Sequence, residues 1–428
     1  MESSIWLFPH SGLFFWICLR VSIVPNYIYL QSRTHPDHPS HRCGVFQYYY
    51  QEVMLPDATS QQLGWITTLA EFLMLGAGVL MGHLVDRYGT RIVIAPFAAI
   101  SVLALCLLSL CKEYWQVLLC QGVLFGIGCS GTTLPSIVCM TQWFSTRKGL
   151  AVGLASSGSS VGGLLFPIMV TRLLDSKGFS AAVRWSALVV GCGMAIGVIC
   201  CEGPFPSKKR GEQGKVTMAT DESSNESKHG TDIGVASAYT GPDQGSNGRG
   251  RDIWVSLRHN GGAWAAFCAG AFFCMLTLLV PYNYLPQAAV AGGINSDLAQ
   301  YTVSIANGAS TIGRVLPGFL SDHIGQFNVM IMVSAMSALS MLVVWLPLAY
   351  RPSETGILFF AAFYGFVSGG YTSLLSPCVV SLVDGQLEDL GTKFGIACGF
   401  ISIGYVTITY MPRHDPLLIE VQISLVPW

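Results

Sequence analysis

The chain has 428 residues, of which 51% are hydrophobic and only 11% are charged. A soluble globular domain carries about 25% charged residues, so this composition excludes an ordinary soluble enzyme or binding module. The net charge of −1 gives no electrostatic reason to expect nucleic acid or an acidic partner. A membrane span needs roughly 20 consecutive apolar residues, and the chain has many such runs.

Residues 5–30 are apolar but interrupted by Pro9, His10, Arg20 and Pro25. With Arg20 inside the apolar part and no small-residue cleavage site, a cleavable leader is not expected. Residues 31–43 (QSRTHPDHPSHRC) are polar and proline-rich, and hydrocarbon would leave their polar groups unsatisfied. The apolar runs that follow predict helix 2 at 62–84, helix 3 at 92–111, helix 4 at 115–138, helix 5 at 149–170 and helix 6 at 183–202. After a polar interval come helix 7 at 262–285, helix 8 at 299–321, helix 9 at 328–347, helix 10 at 357–382 and helix 11 from 393.

The interval 207–252 carries seven Lys/Arg and seven Asp/Glu among many Ser, Gly, Asn and Thr. Such a composition buries too little surface to fold, which predicts a disordered linker. Lys208, Lys209 and Arg210 follow helix 6 directly, and Arg87, Arg91, Arg147 and Lys148 fall on the same side. Basic loops stay in the cytoplasm, so the linker is expected there. The 14 cysteines form no C-x-x-C pair and no cluster with metal spacing, and they read as small buried hydrophobes. No metal or cofactor is expected.

Two repeats organise the chain. Gly82-His83-Leu84-Val85-Asp86-Arg87-Tyr88-Gly89 and Gly318-Phe319-Leu320-Ser321-Asp322-His323-Ile324-Gly325 share G-x-L-x-D-x-x-G at an offset of 236 (318 − 82). GLAVGLASSG at 149–158 matches GIACGFISIG at 395–404 at an offset of 246 (395 − 149). Small residues at this density let helices approach closely. Two copies of one bundle are expected, each of six helices, related by an axis along the membrane normal. The expected divisions are an atypical segment 1–43, an N-terminal half 44–206, a cytoplasmic linker 207–260 and a C-terminal half 261–428. The offset places helix 1 at about 28–49, over the polar stretch, and leaves 24 residues after Gly404 (428 − 404) where the first half has 44 after Gly158 (202 − 158). Helix 1 is therefore expected to be abnormal and helix 12 missing, through a gene-model error or alternative splicing.

This organisation resembles the major facilitator superfamily. The stretch 82–91, ending in Thr90-Arg91, is similar to that superfamily's loop 2–3 signature, with its echo in loop 8–9. Trp143-Phe144-Ser145-Thr146-Arg147-Lys148-Gly149-Leu150-Ala151, with Gly153 and Gly158, resembles the helix-5 motif of the fungal monocarboxylate-transporter-like family. Pro281-Tyr282-Asn283-Tyr284-Leu285-Pro286 and Tyr364-Gly365-Phe366-Val367-Ser368-Gly369 are similar to it as well. The resemblance covers about residues 44–405. It implies an all-α membrane protein of the major facilitator fold and a transporter, not an enzyme. The implied activity is secondary active or facilitative movement of a small organic solute, a monocarboxylate-like anion with or without proton symport, by alternating access. The plasma membrane or the vacuolar membrane would house it, with lipid, solute and protons as partners. The other reading is a non-transporting sensor or a truncated, inactive product.

The resemblance also assigns candidate roles. Asp86 would accept hydrogen bonds from a helix N-terminus of the other half and latch the outward-facing state, with Gly82, Gly89, Arg87 and Arg91 shaping and bracing the loop. Asp322 would be the weaker mirror. The alternative for Asp86 is a helix-end charge facing water. Arg314 matches an arginine that pairs with the substrate carboxylate in related carriers, and Ser310 stands where those carriers have an aspartate. The alternative for Arg314 is a long stem snorkelling to the interface. Glu71 lies mid-span, and the offset pairs it with Asn307 (71 + 236). This suggests a shared central cavity and makes Glu71 a proton-coupling candidate, against the alternative of a protonated structural acid. Tyr282, Asn283 and Tyr284 would offer polar groups at the outer mouth or form an interfacial aromatic belt. Together Arg314, Asn307, Ser310 and the three helix-7 residues make the expected substrate site.

Overall fold

The computed structural model describes residues 50, 54–56, 58–144, 147–201, 261–291, 293–294, 299, 301–351, 353–382 and 390–410. Helix 1, the linker, the loop residues between and the C-terminal segment lie outside these residues, as do the expectations placed on them. Among the described residues every regular element is helical. The elements are α1 (Ser60–Gly76), α2 (Gly78–Tyr88), α3 (Thr90–Leu108), α4 (Tyr114–Trp143), α5 (Lys148–Lys177) and α6 (Phe179–Cys200). They continue with α7 (Gly261–Ala291), α8 (Thr302–Ile324), α9 (Gln326–Leu348), α10 (Glu354–Leu382) and α11 (Leu390–Tyr410).

The predicted helix 2 is two pieces. A Thr59/Gln62 capping box starts α1, supplying partners for N–H groups that the first turn leaves free. Ala77, between Gly76 and Gly78, then bends the span, while Ala77 N–H still bonds to Leu73 O and Met81 N–H to Ala77 O. The bend thus costs little hydrogen bonding and falls where glycine lowers the resistance to it. The turns after α2 and α8 are built alike. Gly89 (φ 85°) and Gly325 (φ 96°) each close one helix and open the next. A side chain is strained at such a φ, which explains why both copies of the motif end in glycine.

Eight described helices are long and apolar enough to cross a membrane; α8 is not among them. It turns a small, polar face with Ser304, Ser310 and Ser321 into the bundle and leaves Ile312, Leu316 and Phe319 exposed on the other. Gly365 and Gly313 bring α10 and α8 so close that a Cβ on either would lie 2.1 or 1.9 Å from a carbonyl oxygen of the other helix. Large apolar side chains such as Leu80, Ile92, Leu103, Ile331 and Leu342 point outward, as a lipid-facing surface requires. One apolar core fills the first half around Ile66, Phe125 and Val183. Two more fill the second half around Val333 and Phe360. A fourth joins the halves, packing Met81, Val85, Leu134 and Val138 on Val379, Val380, Phe394 and Cys398.

Candidate functional site

Asp86 sits in the last turn of α2 and reaches into the other half. Its Oδ1 accepts from the Gly391 N–H at 3.1 Å. Its Oδ2 accepts from the Thr392 N–H and from the Thr392 hydroxyl, both at 2.8 Å. These donors belong to the first turn of α11, where backbone N–H groups have no intrahelical partner and the helix dipole is positive. Bonds from neutral N–H to a carboxylate are among the stronger kind. Asp322 repeats the arrangement at the end of α8. It accepts from Gly149 N–H at 2.8 Å and Leu150 N–H at 2.9 Å, in the first turn of α5.

Two helix seams lie behind these clasps. Along the first, α2 meets α11, and a Cβ on Gly82 would fall 2.0 Å from Gly391 O, and one on Gly395 2.3 Å from Gly78 O. Along the second, α5 meets α8, and a Cβ on Gly149 would fall 2.4 Å from Gly318 O, and one on Gly153 2.4 Å from Arg314 O. The matched contacts correct the register of the second repeat. Gly149 and Gly153 do the work of Gly391 and Gly395, an offset of 242 (391 − 149), not the 246 expected from the motif. The difference is one helical turn. Glycine recurs every fourth residue at 391, 395 and 399, so two registers match in sequence and only the clasp selects between them.

The seams differ in chemistry. Arg314 crosses from α8 to α5, donating to Ser156 O at 2.6 Å and to the Ser159 hydroxyl, while its Nε lies 3.4 Å from Ser310 Oγ. Ser160 donates to Ser310 at 3.2 Å across the same seam. Tyr282 of α7 lies beside Ser310, and its hydroxyl shares a 3.0 Å hydrogen bond with Ser368 of α10. Tyr282, Ser310 and Arg314 are therefore one polar cluster, as the sequence reading had grouped them. Asn283 and Tyr284 belong to α7, but their side chains are outside the described ones. Asn307 is half-buried on α8, and its carbonyl accepts from Thr311.

Glu71 is 2% exposed and neither carboxyl oxygen has a hydrogen-bond partner. It is not joined to Asn307. It lies near Cys129 of α4, and unpartnered Ser130 and Thr133 hydroxyls follow on that helix. An unsatisfied buried polar group costs several kcal/mol in hydrocarbon, so this is an unusual place for a carboxyl group. Arg87 and Arg91 are exposed, with Arg87 over the Tyr88 ring at 5.4 Å. Lys393 escapes the sequence reading. It follows the clasped Thr392, lies in the first turn of α11 and is only 3% exposed. The signal for it was available, since a cation inside an apolar run is a functional candidate by default. Among the described residues no group of three or more His, Cys, Asp or Glu side chains is placed to hold a metal.

Apolar helices in two related halves, closed on each other by reciprocal carboxylate clasps, are the build of a two-half membrane transporter. The Major Facilitator Superfamily profile matches residues 12–408, and the chain belongs to that superfamily. Among similar proteins is an MFS-type transporter, hasB, of Aspergillus fumigatus, 42% identical over 93% of this chain and 82% of that one. The agnestins efflux protein of Paecilomyces divaricatus is 33% identical over 88% and 76%. The fujikurins efflux protein of Gibberella fujikuroi is 32% identical over 85% and 70%. Of solved structures, the proton:xylose symporter XylE superposes with a TM-score of 0.65 over 97% of this chain and 93% of that one, at 14% identity. That last likeness shows the fold alone. The chain is an integral, multi-pass membrane transporter and not an enzyme.

Proposed function

We propose that the chain exports a small organic solute by alternating access. The twin clasps carry this reading, because each half holds the start of a helix of the other at one end of the bundle. Clasped, that end is shut and the solute path opens to the opposite face; releasing both clasps turns the path around. The basic residues Arg87, Arg91, Arg147 and Lys148, with Lys208–Arg210 of the linker, argue that the clasped end is cytoplasmic. The clasped state then faces outward, in the plasma membrane. Export is drawn from two relatives named as efflux proteins, and it replaces the symport expectation.

The solute class follows from Arg314. A planar guanidinium suits a carboxylate, and the α5 acceptors that now hold Arg314 give it up when the α5/α8 seam parts. The cluster with Tyr282 and Ser310 is then the solute contact. Glu71, buried without a partner, is the proton carrier that couples export to proton entry. The test is flux of carboxylates and of their methyl esters through the purified chain in liposomes, with and without a pH gradient. The acid is expected to move, faster with the gradient, and the ester to lag. Equal flux of acid and ester would overturn the anion class, and no flux with either would overturn transport of this class.

A further inference from the structure

Cys111 and Cys120 are brought together at the end of the bundle opposite the clasps. α3 starts at Thr90, just past the clasp of Asp86, and ends at Leu108, and α4 returns from Tyr114. The connection is pinned by its own hydrogen bonds. Cys111 N–H donates to Leu108 O, Lys112 N–H to Gln116 Oε1, and Glu113 and Gln116 cap the first turn of α4. This turn sets Cys111 Sγ 3.6 Å from Cys120 Sγ. Cys120 lies in a π-helical stretch, Leu118–Leu124, whose wider turn shifts side chains from the α-helical register. Both thiols are half-buried and pack against the edge of the first-half core.

The geometry points to a disulfide between Cys111 and Cys120 in the mature protein, tying the end of α3 to the π-helical start of α4 on the side away from the cytoplasm. The compartment rests on the orientation proposed above; the pairing does not. The step is thiol–disulfide exchange with an oxidised small disulfide such as that of glutathione. One thiolate attacks it and expels a glutathione thiolate, and the second cysteine displaces the other glutathione. Two cysteine thiols are oxidised, one external disulfide is reduced to two thiols, and the protons are exchanged with water. The Cys111 thiol is pushed up to about 12 by burial and by its contact with Cys120. It therefore stays protonated at neutral pH, and closure quickens as pH rises. At the clasped end a second pair, Cys139 and Cys201, also touches, but these side chains are 0% and 3% exposed. An oxidant the size of glutathione does not reach them, so they serve as an internal control.

The experiment blocks free thiols with N-ethylmaleimide during lysis, then maps the full chain by mass spectrometry before and after dithiothreitol. A peptide pair joined through Cys111 and Cys120 is expected. Labelling at both should rise about tenfold or more on reduction, since so close a pair lies far toward the disulfide at an oxidising poise. Cys139 and Cys201 should show no such pair, and Cys111→Ser should leave Cys120 fully alkylated. Purified, reduced protein treated with oxidised glutathione separates the two premises. Full alkylation of both cysteines after that treatment would overturn the pairing. Pairing there but free thiols in the lysate would overturn the claim for the mature protein and the orientation with it.

Discussion

The two seams are one arrangement built twice, and they differ in the chemistry of their interiors. With offsets of 236 between α2 and α8 and 242 between α5 and α11, every side chain of one seam has a counterpart in the other. Arg314 corresponds to Gly78 (314 − 236), Ser310 to Met74, Ser156 to Cys398 (156 + 242) and Ser159 to Ile401. The α2/α11 seam is thus nearly dry, lined by Met81, Val85, Phe394 and Cys398. It carries the stronger clasp, with three hydrogen bonds to Asp86 against the two described to Asp322. The α5/α8 seam has the lighter clasp and a polar interior stitched by Arg314. On the proposed function, the apolar seam with its clasp would serve as the seal and the polar seam, whose contacts solute groups could replace, as the site.

The largest expected effect breaks both seams alike. Gly82→Val would set a Cβ 2.0 Å from the Gly391 carbonyl oxygen, which is backbone and cannot move aside. Overpacking of this kind costs about 3 kcal/mol, so the clasped state should lose roughly a hundredfold in population. Cys398, buried in the seam, reports it, since maleimide should label it faster once the helices part. Gly318→Val should do the same to the other seam, read at Ser156→Cys, the counterpart position. If Gly82→Val leaves Cys398 protected, the seam does not open and close.

The clasps come next and should be unequal. A hydrogen bond to a charged group contributes about 1.5–3 kcal/mol, less where it is half-exposed. Asp86→Asn should speed Cys398 labelling by about tenfold or more, and Asp322→Asn should have a smaller effect at Ser156→Cys. Thr392→Val removes only the hydroxyl bond, about 1 kcal/mol. It should bring the first clasp down to the level of the second. Equal effects of the two asparagine substitutions would mean that the third bond carries no weight.

Arg314 is where the seams diverge, and its substitution sharpens the difference. Arg314→Lys keeps the charge and loses the fork. It should slow export of carboxylates by about tenfold while slowing the methyl esters much less. A seam that uses Arg314 only as glue would slow acid and ester equally, so the ratio of the two fluxes decides.

Much of this was legible in the residues, and the failures have physical causes. The loop motif located both clasps, because G-x-L-x-D-x-x-G combines a close approach, a carboxylate and a positive-φ turn that few other sequences satisfy. Arg314 stood out because a cation is costly in hydrocarbon, Ser310 was set beside it by the family resemblance, and the place of Tyr282 against them, not at the outer mouth, was not legible. The register of α5 on α11 was not, because a four-residue glycine period fits at successive turns and only the partner helix distinguishes them. The closeness of Cys111 and Cys120 was not legible either. It depends on the shape of a five-residue connection and on a π-helical turn, neither of which leaves a hydrophobic pattern.

Glu71 lies outside both seams and gives the smallest effect on the fold. Its carboxyl oxygens accept no hydrogen bond, so Glu71→Gln removes none, and a neutral isostere of equal size keeps the packing of α1 on α4. Stability in detergent should change little, since one buried polar side chain replaces another of the same size, and Cys398 should label at the normal rate. Flux down a solute gradient should persist, whereas acceleration by a pH gradient should vanish, because glutamine cannot carry a proton. Asp86→Asn and Glu71→Gln should then separate, the first changing the labelling of Cys398 and the second only the response to the pH gradient. A Glu71→Gln protein that keeps its full response to the pH gradient would return Glu71 to the role of a structural acid.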